Sequence, residues 1–579
     1  MAKTWFLHLL TACAAGLCAS ASAADLPSGE QIYKKKCASC HGANGEGSDY
    51  HKEALIGEQS VLQLAKVIAR TMPEDDPESL SAEEAERVAA YIHKTFYSPA
   101  ARKKSQPRIE LARLTVRQYR NAVADLVGSF RGDRRWDEQR GLKAEYFKSR
   151  NFGGGARVLE RVDPEVRFDF GTEAPIAEKM EPHEFSIRWS GSLLVAETGS
   201  YEFVVRTEHA ARLWLNDQRR PLIDAWVKSG NDTEYRASLF LIGGRAYPLR
   251  LEYTKAKQGV DDSKKNGPKP PSVKSSIALE WKPPSRAADI IAGRNLSPLG
   301  APETFALATP FPPDDRSYGW ERGTTVSKEW DQATTEAALE TADFIVSRLN
   351  EFAGTRDGAP DRDAKVRDFC RRFAERAFRR PLSDDQKRLL DRQFEARDAG
   401  IAAKRVVLIV LKSPRFLYRE VTDKPDVYDV ASRLSFALWD SLPDRPLLDA
   451  AASGQLATRE QVMRQAERML ADPRTRAKLQ SFLLTWLRVD HVPDIAKDTK
   501  RFPGFDPKVV ADLRSSLELF LNEVVWSDAS DFRQLLLADH LYLNGRLAPL
   551  YGAELAGDAG FEKMKLDDGK RAGVLTHPY

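Results

Sequence analysis

Apolar and polar positions change period twice along the chain, and each change predicts a different architecture. In "LSAEEAERVAAYIHKTF" the apolar residues Val88, Tyr91, Ile92 and Phe96 share one helical face. Ser81 and Glu84 before them supply a capping box. The shorter "SGEQIYKKK" reads as a helix capped by Ser28. In "ARLTVRQYRNAVADLVG" the stripe is Val116, Tyr119, Val123 and Val127, with Thr115 and Gln118 as caps and Gly128 as the stop.

From Gly141 the period drops to two. Val166, Phe168 and Phe170 alternate with polar residues, as do Tyr201, Phe203 and Val205. Tyr247, Leu249, Leu251 and Tyr253 follow, then Ile277, Leu279 and Trp281. Short alternating runs between glycine-bearing turns predict an antiparallel sandwich. The polar insert "QGVDDSKKNGPKPPSVK" between the last two runs reads as an exposed loop, and "SPLGAPETFALATPFPPDDRSYG" as an irregular bridge. Helical periodicity then returns almost to the end. In "AKVRDFCRRFAERAFRRPLSDDQ" the stripe is Val366, Phe369, Cys370 and Phe373, which makes Cys370 an inert buried thiol.

A chain of 579 residues is too long for one core, so several domains are expected. The net charge of +4 is small and no single-sign block stands out, which argues against a dedicated nucleic-acid binder. Residues 1–23 carry Lys3, an apolar run from Trp5 to about Cys18, and the A-x-A pattern Ala21-Ser22-Ala23. This reads as a cleaved signal peptide and places the mature chain in the periplasm or outside the cell. Leu10 to Cys13 ("LTAC") resembles a lipoprotein box but leaves little apolar length before the cut. No later segment reads as a transmembrane span. The leader removed, only Cys37, Cys40 and Cys370 remain, too few for a disulfide scaffold.

Two of those cysteines sit in "YKKKCASCHGANGEG". A thioredoxin-like pair needs a preceding strand, and a structural zinc site needs four ligands; neither context is present in the sequence. Cys37-x-x-Cys40-His41 instead has the spacing for covalent haem, with two thiols on the vinyl groups and His41 on the iron. Met72, followed by a proline that favours extended backbone, is the candidate second axial ligand. His51, His93 or an open sixth position are the alternatives, and core filling is the bland role for Met72. With the helix, the motif, a loop, Met-Pro and a closing helix, residues 26–97 resemble a small class I cytochrome c whose central loop is pared down. The resemblance implies one haem c, attached to Cys37 and Cys40 and ligated by His41 and Met72.

"GLKAEYFKSRNF", "FSIRWSGSLLVAETGSYEFVVRTEHAARLWLND" and "IDAW" resemble the β-sandwich first described in anthrax protective antigen, over residues 141–283. Some members bind sugars. Calcium-dependent members use adjacent aspartates, where this chain has Glu208-His209-Ala210. Trp214 points opposite to Leu213 and Leu215, so it is the candidate glycan contact unless it packs into a domain interface; Trp189 and Trp226 read as core. Asp314 and Asp315 beside Arg316, and Asp440 and Asp444 at a Trp-to-Pro turn, read as helix caps rather than catalytic groups. "LKSPRFLYRE", "ASRLSFALWDSLPDRPLLDAA", "QAERMLADPRTRAKLQSFLLTWL" and "LADHLYLNGRLAPLYG" complete a resemblance to large exported cytochrome-bearing proteins of planctomycete-type bacteria. Those proteins carry helical domains of unknown function and typically continue past "RAGVLTHPY", so the chain reads as truncated there.

The expected architecture is multidomain: a small all-α cytochrome c (26–97), a linker and helix (98–140), an antiparallel β-sandwich (141–283), an irregular bridge (284–330) and a large all-α region (331–579). The expected function is single-electron transfer with a redox partner protein, the sandwich serving for docking or polysaccharide binding. The alternative is a surface polysaccharide-binding protein with an ancillary haem. No catalytic residues are assigned.

Overall fold

The computed structural model describes residues 27–98 except 53, 56 and 58, and residues 112–579 except 133–136, 228–230, 257–270, 318, 396–397, 420–424, 491–494, 499 and 566–570. The leader, most of the stretch after Ser98 and most of the polar insert therefore lie outside the described residues. The chain divides into two compact units, one ending at residue 110 and one beginning at residue 111.

The smaller unit is helical: Gly29–Lys36, Ala38–His41, Val61–Thr71 and Ala82–Ile92, the last prolonged by a wider turn, His93–Tyr97. Ser28, Ser60 and Ser81 each accept a hydrogen bond from the amide three residues on, and Gln31, Gln63 and Glu84 return it through their side chains. The helix Val61–Thr71 occupies part of the span between His41 and Met72 that the sequence predicts as loop. Its signals were the Ser60–Gln63 box and the buried stripe Leu64, Ala65 and Ile68. Its stripe joins Ile32, Tyr33, Val88, Ala89 and Ile92 in one core. The first and closing helices touch at Gly29, where a Cβ would stand 2.2 Å from the Arg87 carbonyl oxygen and 2.9 Å from the Tyr91 Cβ. Only glycine permits that approach. The Tyr33 ring fills the space beside it, 5.5 Å from Tyr91 and 5.3 Å from Phe96.

In the larger unit the alternating runs become β1 (Leu142–Phe147), β2 (Arg157–Asp163), β3 (Arg167–Gly171), β4 (Phe185–Val195), β5 (Gly199–Arg206), β6 (Ala210–Leu215), β7 (Ile223–Ala225), β8 (Glu234–Leu241), β9 (Arg245–Lys255) and β10 (Ser275–Lys282). One sheet runs in the order β2-β1-β4-β9-β6-β7; in the other β10 lies between β3 and β5, and β8 follows β5. All these pairs are antiparallel. The register sets Trp189 opposite Leu251 and Leu279 opposite Val205, so both sheets turn one apolar face inward. Trp189 is fully buried, and its indole N–H donates to Asp163 at 2.8 Å.

The helix Val116–Gly128, expected after a linker, lies inside the helical core. Tyr119, Val123 and Val127 pack with Trp330, Phe369, Phe373, Val407 and Phe416. Helical periodicity says which face is buried, not what buries it. The sandwich is thus inserted between the first helix of the helical region and the rest. Asp125 on that helix marks the junction: it accepts from Arg245 of β9 at 2.8 Å, Arg474 at 3.0 Å and the Ser441 hydroxyl at 2.6 Å. Arg286 makes a second tie, between Glu197 after β4 and Glu518 of the helix Pro507–Trp526. Cys370 is buried in the helical core, and burial pushes its thiol up to about 12.

Candidate functional site

The cysteine motif begins where the helix Gly29–Lys36 ends. The Cys37 amide donates to the Tyr33 carbonyl at 2.9 Å, and the His41 amide to the Cys37 carbonyl at 2.9 Å, so one further turn carries both cysteines and the histidine. Gly42 closes it at φ +83°, where a Cβ would meet the Gly47 carbonyl oxygen and the Glu46 carboxylate at 2.7 Å. Three other hydrogen bonds fix this backbone. The Tyr33 hydroxyl donates to the Gly42 carbonyl at 2.7 Å, the Gly47 amide to the His41 carbonyl at 2.9 Å, and the Ser48 hydroxyl to the Cys40 carbonyl at 2.7 Å.

No disulfide joins Cys37 and Cys40. Cys37 is half-buried against the small core; burial, with Cys40 adding, pushes its thiol up to about 11 and keeps it protonated at neutral pH. His41 is half-buried, and burial, with His51 adding, lowers its pKa. Its Nδ1 is buried with no hydrogen-bond partner. The exposed His51 stands edge-on to the His41 ring, 5.0 Å between centroids.

Met72 caps the helix Val61–Thr71 in extended conformation, φ −136° and ψ 142°, and packs half-buried against the same core as Cys37. His93 opens the final turn, also half-buried. Cys37 and Met72 border one core, and Cys40 and His41 follow Cys37 on the same turn. Two thiols to bond the vinyl groups, with an imidazole and a thioether to ligate the iron, are the groups that a covalently attached haem requires. The donor set fits that group.

In the sandwich, Trp214 is only 8% exposed, with the Arg250 guanidinium 3.9 Å from its ring centroid. This corrects the expectation of a glycan contact: cross-strand pairing on β9 sets Arg250 over the ring. Asn216 beside it exchanges two hydrogen bonds with Thr304 of the bridge. Trp226, expected in the core, is half-buried under Arg212. Glu208 accepts from the amide and hydroxyl of Ser276 at 3.0 and 2.8 Å, and the His209 ring meets the Lys274 carbonyl at 2.9 Å. The four candidate carboxylates of the bridge and the helical region hold structure together. Asp314 accepts from Arg113 and from the Val116 amide, Asp315 pairs with Arg322, Asp440 with Lys478, and Asp444 caps the helix Arg445–Ala452.

Four stretches match protein-family models. Residues 24–92 match the subunit III model of cbb3-type cytochrome c oxidase, and residues 138–292 the PA14 domain. Residues 365–420 and 426–553 match two families described as protein of unknown function, DUF1595 and DUF1592. The chain therefore combines a cytochrome c domain, a PA14 β-sandwich and helical domains of unknown function. A cytochrome c domain implies covalently bound haem c. Among curated proteins, anti-sigma-I factor RsgI3 of Acetivibrio thermocellus is 28% identical over 162 residues, 28% of this chain and 22% of that protein. The chain thus spans less than a quarter of that relative's length.

Similar solved structures include an anti-sigma factor domain-containing protein from Clostridium clariflavum, with 22% identity, 30% of this chain, 51% of that chain and a TM-score of 0.23. A PA14 sugar-binding domain from an RTX adhesin is 13% identical over 28% of this chain and 99% of that one, with a TM-score of 0.20. Among the described residues no helix is long and apolar enough to cross a membrane.

Proposed function

We propose that the protein is an exported monohaem electron carrier, with the cytochrome domain over residues 26–97 handling one electron at a time and passing it to or from a redox partner protein. The observation that carries this reading is the C-x-x-C-H turn with its buried, unpartnered His41 Nδ1, set on the same small core as Met72. When bound, haem supplies a ferrous–ferric couple. Cys37 and Cys40 are the residues that would hold it covalently, and His41 and Met72 those that would ligate the iron. The chain's own contribution is rigidity: Tyr33, Gly47 and Ser48 clamp the carbonyls of Gly42, His41 and Cys40, so the turn offers its side chains in one arrangement. Haem staining after denaturing electrophoresis tests the attachment. Pigment should stay with the chain and be lost from the Cys37→Ala, Cys40→Ala double variant; pigment running at the dye front of the unaltered chain contradicts it.

In this reading the sandwich over residues 141–283 is the docking or polysaccharide-binding module. Its PA14 match supports a carbohydrate partner. Calorimetry of the full chain against a panel of polysaccharides, with and without chelator, tests it; chelator-insensitive binding is expected, because Glu208-His209-Ala210 lacks adjacent aspartates.

A further inference from the structure

At the seam of the two domains of unknown function lies a small pocket whose lining is dominated by arginine. Phe378, Arg379, Arg380, Arg415 and Arg419 come from one side, and Tyr428, Asp429 and Ser432 from the other. The pocket's volume is about 10 Å³, room for a single oxygen atom. Arg379 follows the helix Arg362–Phe378 at φ +61°, a left-handed position where glycine is the usual choice. It is only 4% exposed. Its Nη2 braces the opposite loop, donating to the carbonyls of Arg415 at 2.8 Å, Tyr418 at 2.9 Å and Arg419 at 3.4 Å. Its Nη1 is buried with no partner at all, and so is the hydroxyl of Ser432, a residue 3% exposed.

Among the described residues the charges around the pocket do not cancel. Asp426 and Asp429 both engage Arg380, at 3.0 and 2.7 Å, and Asp426 also caps the helix Val427–Trp439. Among the described residues neither Arg415 nor Arg419 has a carboxylate partner. A buried guanidinium whose only acceptors are carbonyls is unfavourable unless an anion completes it. Burial, with the neighbouring Arg380 adding, lowers the Arg379 pKa to about 10, the direction expected of a cation short of negative charge.

We propose that this pocket binds a small oxyanion. One of its oxygens sits on the floor, between Arg379 Nη1 and the Ser432 hydroxyl, and the others face the rim arginines 415 and 419. The pocket is too small for a whole tetrahedral ion, so the ligand enters tip first. Arginine forks and a hydroxyl at a domain seam are the groups that recognise carboxylate, sulfate or phosphate.

Equilibrium dialysis of the full chain with radiolabelled sulfate tests this, with acetate and phosphate as competitors and chloride holding ionic strength constant. Saturable binding should be displaced by both competitors. It should weaken about tenfold in Ser432→Ala, and again in the Arg415→Ala, Arg419→Ala double variant, since each loses a hydrogen bond to a charged group. Arg379→Gln should abolish it, but that variant also loses the loop brace, so the Ser432 and rim variants decide. Absence of saturable binding, or equal binding by the unaltered chain and those variants, overturns the proposal.

Discussion

At the scale of single residues, Met72 and Asp440 give opposite lessons. Met72 was legible as a candidate because Pro73 restricts its backbone, and it is indeed extended at the end of a helix. Replacing it with alanine should lower the midpoint potential, because a thioether ligand favours ferrous iron, and should remove the sulfur-to-iron absorption band. An unchanged spectrum would pass the role to His51 or His93. Asp440 was read as a cap before a helix, yet it is buried on the bond from Lys478 and a second from Gln118. Burial pushes its carboxyl up, but Lys478 and Arg117 outweigh that and hold it below the usual range. A carboxylate with a depressed folded pKa stabilises above the unfolded value near 3.8, and that stability fades as the pH falls below it. Asp440 ends the helix Val427–Trp439 at φ +52°, a left-handed position that asparagine tolerates, so Asp440→Asn should cost roughly 3 kcal/mol at neutral pH. Denaturant titrations at pH 7 and pH 3 should show the deficit shrinking at the lower pH; an equal deficit would mean the charge is not what matters.

At the scale of elements, periodicity found the helices and strands better than it found their partners. The alternation from Tyr201 to Val205 and from Tyr247 to Tyr253 placed side chains that are all buried in the sandwich. The helix Val61–Thr71 is hidden between His41 and Met72, where ligand spacing predicts only a loop, although Ser60 and Gln63 spell a capping box. Gly29 was invisible for another reason: a glycine at a helix start reads as neutral until a second helix is known to lie against it. Gly29→Ala should force the first and closing helices of the cytochrome unit apart, costing about 1–3 kcal/mol as an overpacking change. Ser60→Ala should cost about 1 kcal/mol through the lost cap. Thermal unfolding of the pigment band measures both, and a Gly29→Ala protein as stable as the parent would refute the close crossing.

At the scale of the whole molecule, the three classes of structure were readable, but the insertion of the sandwich into the helical region was not. Nothing local in the helix Val116–Gly128 says that its core mates lie beyond residue 300. The shared carboxylate of Asp125, taking Arg245 from the sandwich and Arg474 and Ser441 from the helices, couples the two. Asp125→Ala leaves two buried guanidinium groups without their shared acceptor and should cost about 3–5 kcal/mol. Calorimetry should then show the sandwich and helical transitions moving together; a shift in only one would mean the junction is not shared. The central claim, electron transfer by one haem, is tested most directly by an optical redox titration of the mature chain. The account predicts a single reversible wave with the one-electron slope of about 59 mV per decade. A chain with no redox-active absorbance, or a titration that needs more than one wave, would contradict it.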